Sequence, residues 1–289
     1  MKLGMVGLGR MGANMAERLR RHGHEVVGYD RSPELSQVTS LAELVQVLPK
    51  PAVVWVMVPA GEPTRATIAA LADFLEPGDL VVDGGNSNYR DSIARSAELA
   101  TRGIGFVDAG VSGGIWGLEF GYGLMVGGTD EHVAVVWPVL QALAPPEGGL
   151  AHVGPPGAGH FTKMVHNGVE YGLMQSYAEG YELLRASDLG IDVEGAIAAW
   201  THGTVVRSWL LDLLLRALQD DPGLTKVRGW AEDSGVGRWT VDEAVRLAVP
   251  VPVIASALFA RFASRQDDSP AMKVVAALRK QFGGHAVHL

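Results

Sequence analysis

Lys163, His166, Asn167 and Glu170 stand at i, i+3, i+4 and i+7. At the helical period these spacings place all four on one face. One stripe then offers an amine, an imidazole, an amide and a carboxylate, a set suited to moving protons on a small polar molecule. Desolvation in a closed, largely apolar site lowers a lysine pKa toward neutrality and raises that of a carboxylate. Such a pair can exchange protons near pH 7. No other lysine occurs between Lys50 and Lys163. Met164, Val165, Val169 and Leu173 flank the stripe and predict that it is buried. Gly168 and Gly172 cost helix propensity, which is reasonable if something approaches the helix closely. Tyr171 adds a further wall to the expected cavity.

A second constellation opens the chain. Gly7-Leu8-Gly9-Arg10-Met11-Gly12 follows the apolar run 2–6 and precedes a helical pattern at 11–21. In that context Gly7 permits the tight turn, Gly9 lets the backbone approach a pyrophosphate, and Gly12 lets helix pack on strand. The helix N-terminus offers its N–H groups to the anion. Asp30 ends the next apolar run, where a carboxylate accepts from an adenosine ribose and repels a 2′-phosphate. NAD is therefore expected over NADP, although the neighbouring Arg31 could pair with that phosphate. Val58 and Pro59, at the end of the third run, complete the expected cofactor-binding set. Two more turns follow apolar runs. In Asp83-Gly84-Gly85-Asn86-Ser87, Asn86 could hold a hydroxyl or the nicotinamide amide. In Ala109-Gly110-Val111-Ser112-Gly113-Gly114, Ser112 and the N–H groups of Gly113 and Gly114 form a small anion nest.

These residues need a scaffold, and the pattern supplies one. Strand-like runs at 2–6, 25–29, 53–58, 80–83, 105–108 and 124–126 alternate with helical stretches near 40–48, 63–75, 90–102 and 131–143. Beyond about residue 158 the pattern is helical only: 161–186, 192–218, 241–264 and 270–281. The expected fold is α/β, a Rossmann-type doubly wound, mostly parallel sheet followed by an all-α domain. We expect residues 1–160 to form the dinucleotide-binding domain and 161–289 an all-α substrate-binding and oligomerisation domain. With 289 residues, 47% hydrophobic and 19% charged, the chain can bury two cores. It has no cysteine, which excludes disulfides, thiolate nucleophiles and iron–sulfur clusters. No histidine pattern suggests a metal. The net charge of −8 argues against nucleic acid as a partner. No apolar run reaches membrane-spanning length, and Arg10 interrupts the opening run before a signal h-region forms. A soluble cytoplasmic protein is expected.

The glycine fingerprint with Asn14, the Asp-Gly-Gly-Asn-Ser turn, the Ser-Gly-Gly turn, the segment Lys163 to Tyr171 and Gly235-Val236-Gly237-Arg238-Trp239-Thr240 together resemble the short bacterial form of the decarboxylating 6-phosphogluconate dehydrogenases, within the β-hydroxyacid dehydrogenase superfamily. That resemblance implies oxidation of 6-phosphogluconate at C3 by NAD, with NADP as the alternative acceptor and no metal. Loss of carbon dioxide would then give ribulose 5-phosphate, within the pentose phosphate pathway and gluconate utilization. It implies Lys163 as general base, Glu170 as the acid that protonates C1, and His166, Asn167 and Asn86 as hydroxyl holders. Ser112, Gly113 and Gly114 would take the carboxylate end. Tyr171, Arg261, Arg279 and His285 would grip the phosphate. Residues 261–289 hold five basic and two acidic residues, a basic region that suits a dianion. In the family this tail enters the partner subunit's site, so a homodimer or homotetramer is implied.

Two positions depart from the long family form. Ser234 and Val236 replace a lysine and a threonine, so Arg238 or the tail is expected to carry more of the phosphate grip. The rival readings are a related dehydrogenase acting on a non-phosphorylated 3-hydroxy acid, and a non-catalytic NAD-sensing protein. A short-chain dehydrogenase is disfavoured because no Tyr-x-x-x-Lys occurs.

Overall fold

The computed structural model describes residues 1–283 and Ala286. Its elements run β1 (Lys2–Val6), α1 (Arg10–Arg21), β2 (Glu25–Tyr29), α2 (Leu41–Gln46), β3 (Val53–Val56), α3 (Glu62–Ala72), β4 (Leu80–Asp83), α4 (Tyr89–Ala100), β5 (Gly105–Ser112), α5 (Gly117–Phe120), β6 (Gly123–Gly128), α6 (Asp130–Leu143) and β7 (Leu150–Gly154). Helices follow: α7 (Ala158–Arg185), α8 (Val193–Trp200), α9 (Trp209–Asp220), α10 (Val236–Leu247), α11 (Pro252–Ala263) and α12 (Pro270–Gly283). The chain divides into two compact units, Met1–Val165 and His166–Leu289.

In the first unit, seven strands form one sheet in the order β2-β1-β3-β4-β5-β6-β7. All pair in parallel except β5 with β6. Period-two alternation sends each strand's side chains to both faces. Leu3, Met5, Val53 and Trp55 meet Met15 and Leu19 of α1 and Val136 and Leu140 of α6. Val54, Val56 and Val81 meet Leu44 of α2, Ile68 and Leu71 of α3 and Leu99 of α4. Burying such side chains on both faces is worth about 1.5–3 kcal/mol each, and it explains why these strands read as unbroken apolar runs. This is the doubly wound mostly parallel sheet that the alternation predicts.

Three local expectations change. β7 has no counterpart in the sequence reading. β5 runs on through Ser112, so Ala109, Gly110 and Ser112 belong to a strand that pairs with β6 rather than to a loop. Two long helical stretches are each two helices. The first breaks between α8 and α9, where Gly203 has φ +68 and Ser208 caps α9 through the Leu211 N–H. The second breaks between α10 and α11, where Ala248 has φ +55 and Pro252 starts the next helix.

In the second unit, Tyr171 and Met174 of α7 pack with Val241 of α10 and Ala257, Leu258 and Phe262 of α11. Further along α7, Tyr177, Tyr181 and Leu184 surround Ile197 of α8 and Leu211 and Leu218 of α9. Two glycines of α7 admit α10 and α11. A Cβ at Gly168 would meet Thr240 Cγ2 at 2.7 Å, and one at Gly172 would meet Val253 Cγ1 at 3.1 Å. What approaches the helix here is α10 and α11.

Candidate active site

The strand order turns outward from β1, with β2 on one side and β3 on the other. At such a switch point the crevice lies beyond the carboxyl ends of the strands. A cavity of about 400 Å³ opens there, and its walls include Gly7, Gly9, Asp30, Arg31, Val58 and Pro59. Gly7 has φ +93, and a Cβ on it would meet the Met57 carbonyl oxygen at 2.5 Å. A Cβ on Gly12 would run into the Gly7 carbonyl oxygen, whereas one on Gly9 would meet nothing within 4 Å. Two of the three glycines are thus required by packing and the third faces open space. Gly9 starts α1 without a side-chain cap, leaving a helix N-terminus suited to an anion. Leu8 and Met11 pack on the core instead of lining the cavity, and Arg10 is exposed at the helix start.

Asp30 does more than face the cavity. Its carboxylate accepts from Leu8 N–H at 2.7 Å and Ser32 N–H at 3.0 Å. These bonds, that from Ser32 first, and the nearby Arg31 hold its pKa below the usual aspartate value. Because the folded pKa is depressed, this clamp contributes stability above the unfolded pKa and loses it as pH falls through the folded one. Asp30 therefore fixes the glycine turn and keeps a charged acceptor at the cavity wall.

Asp83, at the end of β4, is fully buried and organises the next turn. It accepts from Gly85 N–H at 3.1 Å, Ser87 Oγ at 2.8 Å and Arg95 Nη1 at 3.0 Å. Asn86 is left exposed at the tip. Ser112 ends β5 half-buried, and Gly113 and Gly114 both have positive φ, +127 and +54. The chain can leave the strand here because neither residue carries a Cβ.

The sequence reading missed what seats Lys163. Asp108, fully buried on β5, accepts from Gly157 N–H at 2.7 Å and His160 N–H at 2.8 Å. It is a cap for α7 supplied from another element. The helix start lies so close to the sheet that a Cβ on Gly159 would meet the Asp108 carbonyl oxygen at 2.5 Å and that of Met125 at 2.6 Å. A Cβ on Gly110 would run into the Lys163 side chain. Lys163 is 8% exposed.

α7 is unbroken from Ala158 to Arg185, so the polar stripe has the helical register that its spacing predicts. His166 Nδ1 lies 3.2 Å from Asn167 Oδ1 and 4.0 Å from Glu170 Oε2. Met164 is buried as expected, but Val165, Val169 and Leu173 are exposed. Those three lie at i, i+4 and i+8, a separate row of the helix surface from that of Met164.

Within the second unit a cavity of about 300 Å³ is lined by Asn167, Glu170, Tyr171, Ser234 and Arg261, among others. The Arg261 guanidinium lies over the Tyr171 ring, 3.5 Å from its centroid, and its Nη1 donates to the Glu232 carbonyl at 3.0 Å. Arg238, an alternative to the tail for reinforcing the phosphate grip, is engaged by a carboxylate. It forms a forked pair with Asp233, at 2.8 and 3.0 Å, and Arg265 adds a third bond at 2.9 Å. These guanidiniums, Arg238 first, hold the Asp233 pKa down to about 2. The replacement at Val236 has no direct bearing on a ligand, because that side chain is buried. Arg279 is exposed on α12, outside this cavity, and His285 lies outside the described residues. Among the described residues no group of histidine and acidic side chains could hold a metal.

A glycine-turn nucleotide cavity, a buried lysine on a polar helical stripe and an arginine-bearing cavity define a nicotinamide-dependent dehydrogenase of the β-hydroxyacid type. Residues 2–154 match the family model for the NAD binding domain of 6-phosphogluconate dehydrogenase, and residues 159–286 match that for the 6-phosphogluconate dehydrogenase C-terminal domain. The chain belongs to the 6-phosphogluconate dehydrogenase family. It is 41% identical to the putative 6-phosphogluconate dehydrogenase YqeC of Bacillus subtilis over 295 residues, covering 99% of both chains. It is also 41% identical to the NAD(+)-dependent, decarboxylating 6-phosphogluconate dehydrogenase of Haloferax volcanii, covering 99% of this chain and 98% of that one. Among solved structures, the Plasmodium falciparum 6-phosphogluconate dehydrogenase aligns with a TM-score of 0.85 at 26% identity. All of this chain but only 66% of that one is covered.

Proposed function

We propose that this protein oxidatively decarboxylates 6-phosphogluconate to ribulose 5-phosphate and carbon dioxide, with NAD preferred to NADP. The observation that carries the reading is the unbroken α7, which bears Lys163, buried, in register with His166, Asn167 and Glu170. The bound dinucleotide supplies one thing, acceptance of the hydride from C3. Gly7, Gly9 and the N-terminus of α1 would hold its pyrophosphate, and Asp30 its adenosine ribose. Lys163 takes the proton of the C3 hydroxyl as hydride leaves, giving a β-keto acid. Carbon dioxide then departs, and the protonated Lys163 stabilises the enolate oxygen. Glu170 protonates C1. His166, Asn167 and Asn86 hold hydroxyls, Ser112, Gly113 and Gly114 the carboxylate end, and Tyr171 and Arg261 the phosphate. A second copy of the chain is part of this reading, supported by Met272, Val274, Val275 and Leu278, which are exposed along α12.

The direct test is an initial-rate assay at 340 nm with 6-phosphogluconate and gluconate, each with NAD and NADP. Rapid reduction of NAD with 6-phosphogluconate and little with gluconate is expected. Equal rates on gluconate, or reduction only with a small 3-hydroxy acid, would overturn the phosphate assignment.

The cofactor preference has its own test. Loss of a charge-assisted hydrogen bond costs about 1.5–3 kcal/mol, roughly ten- to a hundredfold in affinity. Asp30→Ala should weaken NAD by that factor in a fluorescence titration. NADP should weaken much less, because removal of the carboxylate that repels its 2′-phosphate offsets loss of the clamp on Leu8. If both affinities fall in parallel, Asp30 does not read the ribose.

A further inference from the structure

The reaction proposed above asks Lys163 to meet one hydroxyl proton within hydrogen-bonding reach. The lysine sits on the second turn of α7, so its height above the sheet depends on where that helix begins. The start is set by two buried groups on two other elements, one of which bonds to the buried His160 of α7 itself. Asp108 of β5 takes the N–H groups of Gly157 and His160, one on each carboxylate oxygen. Ser92 of α4 shares a 2.7 Å hydrogen bond with His160 Nδ1. Asp108 and Ser92 are both 0% exposed, and His160 is 2%.

An ordinary N-cap is the residue just before its own helix, and local sequence fixes it. This cap comes from 49 and 52 positions away. It ties the lysine helix to the strand that ends at Ser112, four residues beyond Asp108. The contact tolerates little adjustment. Gly110, Gly127 and Gly159 each meet the opposing element so closely that an added Cβ would overlap it. At Gly127 the nearest atoms would be Asp108 Oδ1 at 2.5 Å and the Gly159 nitrogen at 2.7 Å. The carboxylate, both backbones and the lysine stem form one packed block within the first unit.

We propose that Asp108, seconded by the Ser92–His160 hydrogen bond, is a positioning residue for the reaction. It sets the axial height of α7, and with it the reach of Lys163 to the C3 hydroxyl, without touching substrate or cofactor. The carboxylate is required as such. Two N–H groups face its two oxygens, and an amide can accept from only one of them while its NH₂ opposes the other.

This inference rests on the proposed function, so the wild-type enzyme is assayed first. If it does not turn over 6-phosphogluconate, the functional reading fails and the positioning claim fails with it. Given wild-type turnover, Asp108→Asn should lower kcat about 10- to 100-fold, since a misplacement near 1 Å can cost about a hundredfold. KM for 6-phosphogluconate and Kd for NAD should stay within about threefold. Ser92→Ala, a milder change, should lower kcat roughly 3- to 10-fold with the same split. The primary deuterium isotope effect on kcat with 3-deuterated 6-phosphogluconate should rise in both variants, because a misplaced base slows the hydride step. A merely structural role would reduce the folded fraction and leave the isotope effect unchanged. The proposal is overturned if folded Asp108→Asn keeps kcat within threefold of wild type. An unchanged isotope effect, or loss of kcat and NAD binding together, overturns it equally. Should Asp108→Asn fail to fold, Ser92→Ala decides by the same criteria.

Discussion

Lys163→Met should cut turnover of 6-phosphogluconate by at least about a thousandfold, while Kd for NAD stays within about twofold. Methionine keeps the unbranched stem, so packing against Gly110 survives while the ionisable nitrogen is lost. Removing one general acid–base group typically costs 10²–10⁴-fold. Lys163 acts twice in the proposed sequence, first as base toward the C3 hydroxyl and then as the cation that stabilises the enolate oxygen. A thousandfold loss corresponds to about 4 kcal/mol of barrier. NAD binding should be spared because Lys163 does not line the nucleotide cavity, whose walls come from the ends of β1, β2 and β3 and from α2 and α3. Lys163→Arg separates the two roles. A guanidinium keeps the charge but cannot act as a base at neutral pH, so this variant should be nearly as slow as the methionine one. A fast Lys163→Met enzyme would remove the lysine from the chemistry. Loss of NAD binding would place it at the cofactor.

The contrast between Asp30 and Asp108 shows how far the site could be read from sequence. Asp30 stands 21 positions after Gly9, within one strand-helix-strand unit, and its place follows from that unit's periodicity. The stripe on α7 was legible for the same reason, since four polar residues in helical register need only a helix. Asp108 reads as the last apolar-strand residue, and nothing near it in sequence says that a helix 49 positions later begins on its carboxylate. The same limit hid the partners of Gly168 and Gly172, whose cost to the helix was visible while α10 and α11 were not. It also hid the partner of Arg238. Its motif suggests a ligand cation, but Asp233 on the preceding turn claims it. β7 escaped because its burial alternates between intermediate and exposed over only five residues, at the edge of the sheet. The breaks at 201–208 and 248–251 had cues, in Gly203 and in Pro250 and Pro252, which the continuous apolar pattern outweighed.

Arg261→Ala should raise KM for 6-phosphogluconate by about a hundredfold or more, with a smaller fall in kcat and no change in Kd for NAD. Two other guanidiniums of the second unit are already committed. Asp233 holds Arg238 and Arg265, and Arg279 is exposed on α12 and does not line the cavity. Arg261 is the guanidinium that lines the cavity, steadied by the Tyr171 ring and the Glu232 carbonyl. Without it, the same walls present Glu170, Glu232 and Asp233, which repel a dianion. Truncating one partner of a hydrogen-bonded charge pair costs about 2–5 kcal/mol, and a hundredfold in KM is about 2.7 kcal/mol, the lower part of that range. Gluconate carries no phosphate, so its kcat/KM should scarcely move, and the preference for the phosphorylated substrate should collapse by the same factor. Arg261→Lys should fall between, because an ammonium keeps the charge but neither forks onto a phosphate nor stacks as well on tyrosine. If Arg261→Ala keeps the wild-type preference, the phosphate is gripped elsewhere. Arg279→Ala, measured with the same two substrates, would then show whether the tail holds it.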